Sequence, residues 1–338
     1  MKDIKIYSLA FFLIIVVIFG CAKPNEPNIN NILEIEQIYP TVGEARDVYV
    51  SDNFIYIAED QGGFSIYDKN DNTLVCHYYG SIENARLISV VEEDSLLFVY
   101  DRYGSPATIM VFDISSIAEP EENAPITGQT ADIEDMIAIS DGSGGIDVFW
   151  TRPNEFLGGK YSEGGYVSSE PFQNSINGFD LDSENNYVYI TGDQLGLYVC
   201  KYEFVYDGEF LISIIESILH IDTPGEALAV KVIDNYAFVS CKEEGFVTID
   251  ISDKENLIIV YQDDTSGWAQ SIDAGGDYLV VGSGGGGVYL YDISDIENPR
   301  FLDRIDDDEI GYTYKVVIEN EQIFAATKRG IYKLKINR

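Results

Sequence analysis

The chain has 338 residues, 46% of them apolar, with 24 Tyr and 17 Phe, a composition that suits strands in one large or two ordinary globular domains. Its 58 acidic and 21 basic residues leave a formal net charge of -37. Such a surface repels phosphate backbones and anionic headgroups, which argues against nucleic acid or a bare lipid surface as partner, and it keeps the molecule dispersed in water.

The first element is a leader. Residues 1–20 read MKDIKIYSLAFFLIIVVIFG, with Lys2 and Lys5 ahead of an apolar run from Ile6 to Gly20. The run is too short to span a bilayer comfortably and has the pattern of a secretory signal peptide. It ends in Ile18-Phe19-Gly20-Cys21, which resembles the bacterial lipobox, in which the cysteine receives a diacylglycerol before cleavage. Phe19 is bulkier than the usual occupant. Cys21 is therefore the expected lipidation site. Residues 21–31, with two prolines and four asparagines after Cys21, read as a flexible tether.

The expected domain is 32–338, and an internal repeat defines it. ARDVYVSDNFIYIAEDQGGFSIYD (45–68), ALAVKVIDNYAFVSCKEEGFVTIDIS (227–252) and AQSIDAGGDYLVVGSGGGGVYLYDIS (269–294) share one plan. Each has an alternating strand, a polar turn, a Tyr/Phe-rich strand, a Gly-containing turn and a third strand ending in Asp. Diverged copies begin near Ala85, Glu134, Ile176 and Thr313, making seven units. This period is that of four-stranded propeller blades. A unit with period-two alternation cannot bury its apolar faces alone, and a closed ring of seven buries them all. The expected fold is an all-β, seven-bladed β-propeller. Strand-like ILEIEQIYP (32–40) precedes the first unit, and the last unit ends at 338 after only three strands. The N-terminal strand is thus expected to complete the last blade.

Gly63, Gly196, Gly245, Gly287 and Gly330 recur at the second hairpin, where a tight turn uses positive φ. The run GSGGGG (282–287) aligns with these hairpins and lacks the Lys and helix of a phosphate loop. Asp68, Asp113, Asp250 and Asp292 recur after the third strand, the place for an Asx-turn. Cys76, Cys200 and Cys241 remain after Cys21, an odd number without a C-x-x-C pair, and they read as buried free thiols. His77 and His220 lie in different units at or near fourth-strand positions, and neither belongs to a recognisable triad or metal motif. Carboxylates are densest at Asp132-Ile133-Glu134-Asp135 and Asp306-Asp307-Asp308-Glu309. Both runs fall in connections entering a blade, where propeller loops surround the central channel. No cofactor is expected. Ca²⁺ is conceivable there through oxygen ligands, although neither run has the D-x-[DN]-x-[DN]-G spacing.

The phrases VFDISSIAEP (111–120), TIDISDKEN (248–256) and LYDISDIENPRFL (290–302), with strand pairs such as VYVSDNFIYIAE (48–59), resemble the LVIVD repeat family. The resemblance is strong in units one, five and six and weak in units three and four, where TRPNEFLGGKYSEGGYVSSEPF (151–172) departs from the pattern. It implies a propeller at the bacterial cell envelope and supplies no catalytic residues. The expected function is that of a non-enzymatic binding scaffold, anchored through the lipid on Cys21 at what is expected to be the outer membrane, for a protein or polysaccharide partner. The alternative is an envelope carbohydrate-active enzyme, a hydrolase or lyase, with carboxylates in the central funnel. A purely architectural spacer is the third reading.

Overall fold

The computed structural model describes residues 31–337, apart from 105, 129, 131, 143, 163–164, 169–171, 174–175, 183–185 and 208–209. The expected signal peptide and all of the tether but Asn31 lie outside the described residues.

Seven antiparallel sheets follow one another around a ring. Blade 1 covers residues 47–78, blade 2 85–127, blade 3 135–173, blade 4 179–221, blade 5 229–263 and blade 6 271–305. Blade 7 has three strands from residues 313–336, and its fourth is Leu33–Tyr39, paired antiparallel with Gly330–Ile336. The fold is the seven-bladed propeller that the repeat predicts, and the N-terminal strand closes it.

The reason for the ring is visible in the packing. The buried apolar side chains fall into seven clusters, each spanning two neighbouring blades. Phe98, Tyr100 and Val111 of blade 2 meet Val148, Trp150 and Leu157 of blade 3. Tyr39, Phe324 and Ile331 of blade 7 meet Ala45, Ile55 and Tyr67 of blade 1 across the seam. Burying one such aromatic side chain stabilises by roughly 1.5–3 kcal/mol, so the sheets are held by their neighbours rather than by a shared central core.

Local chemistry sets the turns. The second hairpin of blade 1 runs Glu59-Asp60-Gln61-Gly62-Gly63, with Asp60 at φ 51° and Gly63 at φ 77°. A Cβ on Gly63 would lie 2.1 Å from the Tyr78 carbonyl oxygen, so this position needs glycine for space as well as for its dihedral. The same hairpin carries a feature that the sequence reading lacked. Asp60 pairs with Ala85 of the next blade, as do Asp193 with Ala227, Lys242 with Ala269 and Gly284 with Thr313. Each of these hairpins therefore stitches its blade to the following one.

All four predicted Asx-turns are present. Oδ1 of Asp68, Asp113, Asp250 and Asp292 accepts the backbone N–H of Asn70, Ser115, Ser252 and Ser294 at 2.7–2.9 Å. The diverged units are where the blades are irregular. Blade 2 has two short outer pieces, Glu121–Glu122 and Ile126–Thr127, both on Thr108–Asp113. Blade 3 has two, Gly165–Ser168 and Phe172–Gln173, both on Glu155–Ser162. Blade 4 ends in a long hairpin, Leu197–Asp207 with Phe210–Ile221.

Candidate functional site

The first strands of the blades line a central channel containing two cavities. The larger, 640 Å³, opens among the turns between first and second strands, with Glu92 and Glu93 on its wall. The smaller, 240 Å³, opens on the opposite face, which carries the second hairpins and the connections between blades. Asp47, Asp135 and Lys315 line both and form the waist between them.

Most channel carboxylates are tied to backbone. Asp47 accepts the N–H of its neighbour Val48 and of Ile88 in blade 2, each at 2.9 Å. Asp180 accepts Leu181 and Val232 of blade 5 at 2.9 and 2.7 Å, and Asp273 accepts Ile318 of blade 7 at 2.9 Å. Asp135 accepts Met136 and, at 3.3 Å, Phe179 of blade 4. Ser89 and Ser271 do the same for Ala138 and Val316. Inner strands diverge as they leave the axis, and these side chains satisfy amide groups that no strand can reach.

The waist is also an electrostatic unit. Burial pushes the carboxyls of Asp47 and Asp180 up, against the pull of Lys315 and Lys231 respectively. Burial would lower Lys315, yet Asp135, Asp47, Asp273 and Asp180 together raise it. Lys231 is raised first by Asp273, whose Oδ1 lies 3.1 Å from its Nζ. Both lysines are therefore cationic at neutral pH and compensate carboxylates gathered where water is scarce.

The smaller cavity has a different rim. Arg46 and Arg86 stand on it with Glu134, Asn177, Gln270 and Tyr314. The Arg46 guanidinium lies 3.7 Å from the centre of the Tyr314 ring and 3.2 Å from Glu44. Tyr314 donates to Glu44 at 2.6 Å, and burial together with that carboxylate pushes its hydroxyl up to about 12. Arg86 is half-buried, and among the described residues its guanidinium makes neither an ion pair nor a hydrogen bond. Burial first, then the like charges of Arg46 and Arg102, lower its pKa.

The residues singled out in sequence distribute unevenly over this site. Cys21 lies outside the described residues. Of the two carboxylate runs, Glu134 and Asp135 line the central cavities as expected, whereas none of Asp306–Glu309 does. Residues Asp307–Ile310 form one helical turn instead, whose Asp308 and Glu309 carbonyls accept from Arg329. Among the described residues no group of three His, Cys, Asp or Glu side chains is placed to hold a metal ion. His77 lies in the fourth strand of blade 1 and donates from Nε2 to the Gly62 carbonyl at 2.8 Å, and His220 stacks on Tyr198. Glu59, fully buried, lies 3.8 Å from His77; burial pushes its carboxyl up, while hydrogen bonds from Ser65 and the Val42 amide hold it back. Cys76, Cys200 and Cys241 are buried, and burial pushes the Cys241 thiol up to about 12. Cys241 opens the second hairpin of blade 5.

The channel bases were missed in sequence: Arg46, Arg86, Lys231 and Lys315. The available signal was a charged residue within an alternating first strand, visible once the seven units are superposed on that strand.

Sheet count, ring closure and channel define a seven-bladed β-propeller. The profile of the LVIVD repeat matches residues 42–69, 224–265 and 266–307, which are the units whose resemblance is strong. Solved structures of low sequence identity share the fold. The structure of U3-55K aligns with a TM-score of 0.68 at 11% identity, covering 91% of this chain and 100% of that one. The WD40 repeats of RRP9 align with a TM-score of 0.68 at 11% identity, over 92% and 99%. The computationally designed protein Ika8 aligns at 0.60 and 14% identity, over 88% and 98%. No curated protein sequence matches the chain.

Proposed function

We propose that this protein is a non-enzymatic binding scaffold of the bacterial cell envelope, anchored at the outer membrane by lipid on Cys21, which presents its irregular blades to a protein or polysaccharide partner. The observation that carries this reading is the outer hairpin of blade 4. Its strands, Leu197–Asp207 and Phe210–Ile221, have 11 and 12 residues. The corresponding strands of blade 5, Phe246–Asp250 and Ile258–Asp263, have five and six. A hairpin that outgrows the ring adds nothing to ring closure, and extensions on a rigid repeat platform are where recognition concentrates. The channel carboxylates support the same reading, because their oxygens are committed to backbone amides that join blades.

The test is co-purification from the native envelope, comparing the full chain with Cys21→Ser and with a chain whose residues 204–213 are replaced by a two-residue turn. The full chain is expected in the membrane fraction with an enriched partner. Cys21→Ser is expected in the soluble fraction, and the shortened hairpin in the membrane without the partner. Enrichment of nothing above a mock sample, or a partner retained by the shortened hairpin, would refute the scaffold reading.

A further inference from the structure

We propose that the smaller channel cavity, around Arg86, is a binding site for a small hydroxylated carboxylate, with the chemistry of a uronic acid. The proposal stands on the rim of the propeller and does not depend on a partner for the blade 4 hairpin.

Three arginines gather at one mouth of the channel in a chain with only 21 basic residues against 58 acidic ones. Two of them are engaged. Arg46 pairs with Glu44 over the Tyr314 ring, and Arg102 reaches Asp132 at 3.9 Å. Arg86 is the exception: its guanidinium makes no ion pair or hydrogen bond among the described residues although it is half-buried on the wall of a 240 Å³ cavity, and Asp60 and Glu134 attract it only from a distance. A guanidinium withdrawn from water without acceptors is unfavourable. Its planar fork matches a carboxylate, which can accept two parallel N–H bonds.

The rest of the rim specifies what accompanies that carboxylate. Glu134 lines the same cavity; its amide bonds to the Thr151 carbonyl at 2.9 Å, while its carboxylate makes no direct hydrogen bond or ion pair among the described residues and feels Arg102 and Arg86 only from a distance. Burial pushes its carboxyl up while Arg102 and Arg86 pull it back down, and on the cavity wall its oxygens can accept from a ligand hydroxyl. Gln270 and Asn177 add amides to the wall. Gln270 is committed at both ends, its Oε1 accepting from Tyr312 at 3.3 Å and its Nε2 donating to the Thr313 carbonyl, so it shapes the wall and the acceptors left for a ligand are the Glu134 carboxylate and the Asn177 Oδ1. Asn177 donates from Nδ2 to the Ala227 carbonyl at 2.9 Å. The wall therefore offers a cationic fork on one side and hydroxyl acceptors on the other. A sugar acid presents the complementary pair, a carboxylate with several hydroxyls on a ring.

The experiment is calorimetric titration of the full chain with galacturonate, galactose and alanine at low salt, repeated with Arg86→Gln, Arg86→Lys and, on the opposite face, Arg300→Gln. The expected result is binding of galacturonate but not of galactose or alanine. Arg86→Gln should weaken it at least about tenfold, Arg86→Lys should weaken it because a point charge replaces the fork, and Arg300→Gln should leave it unchanged. Equal melting temperatures of the variants show that folding is not the cause. No heat from galacturonate up to about 10 mM, a range that still captures millimolar affinity, overturns the proposal. Undiminished binding by Arg86→Gln does so too, and galactose or alanine binding as tightly as galacturonate overturns the assigned chemistry.

Discussion

Replacing Asp303 by alanine tests whether the closing strand holds the ring. Asp303 is 1% exposed in the outer strand of blade 6. Its Oδ2 accepts the N–H groups of Ile32 and Leu33, at the start of the strand that completes blade 7, and Oδ1 accepts Arg304. The Leu33 amide is buried, so losing its charged acceptor costs about 1.5–3 kcal/mol, whereas water can reach the part-buried Ile32 amide and recover most of its bond. Removing the buried carboxylate also returns part of its desolvation cost. The net expectation is a loss of about 1–2 kcal/mol. Unfolding entropy near 2 cal/mol/K per residue over about 300 residues converts this to a fall in Tm of about 2–3 °C. Asp292→Ala is the control: it removes a carboxylate at the end of the third strand of blade 6, with its Ser294 and Arg300 contacts but none to the closing strand, and is expected to leave exchange of the Leu33–Tyr39 amides unchanged. Circular dichroism on heating reads the global effect, and hydrogen exchange of the Leu33–Tyr39 amides reads the strand itself. A Tm within about 1 °C of the parent, with unchanged exchange in that strand, would show that the seam does not rest on this carboxylate.

Two further outcomes follow from buried groups. The folded pKa of Glu59 lies above its ordinary value of 4.5, so between those limits the native state holds more protons than the unfolded chain, and stability falls as pH rises through the window. Glu59→Gln, which keeps an acceptor for the Val42 amide, should therefore raise Tm relative to the parent more at about pH 7 than at about pH 4; a pH-independent difference refutes the assignment. Gly63→Ala should lower stability by at least about 2 kcal/mol, since the new Cβ meets the Tyr78 carbonyl at 2.1 Å at positive φ. Urea titration measures it, and a loss under about 0.5 kcal/mol would mean that the hairpin gives way freely.

What was legible in the sequence was what the chain decides locally. Asp68, Asp113, Asp250 and Asp292 bond to amides two residues away, so their spacing from the third strand sufficed to identify them. Gly63 and its counterparts announced hairpins for the same reason. The seam was legible because alternation in 32–40 left a strand without a partner and the last unit lacked one. The channel was not, because it is assembled across the ring. Arg86 meets Glu134, Asn177 and Gln270 only after at least four blade junctions have formed, and nothing in the spacing of those residues encodes it. The same argument explains Asp306–Glu309: a dense acidic run marks a loop near the axis, but a single helical turn there carries it away from the cavity wall. Units three and four were hard to read because their outer strands are split or extended, so the repeat's spacing is lost where the blades differ most.

The pairing of Leu33–Tyr39 with Gly330–Ile336 joins the first and last strands among the described residues. Until the final strand emerges, the first one has no neighbour, and the flanks of blades 1 and 6 that blade 7 later covers stay bare. A chain cut short before residue 313 would keep both flanks open to water, proteases and other strands. Completion of the circle thus covers both flanks in a single step.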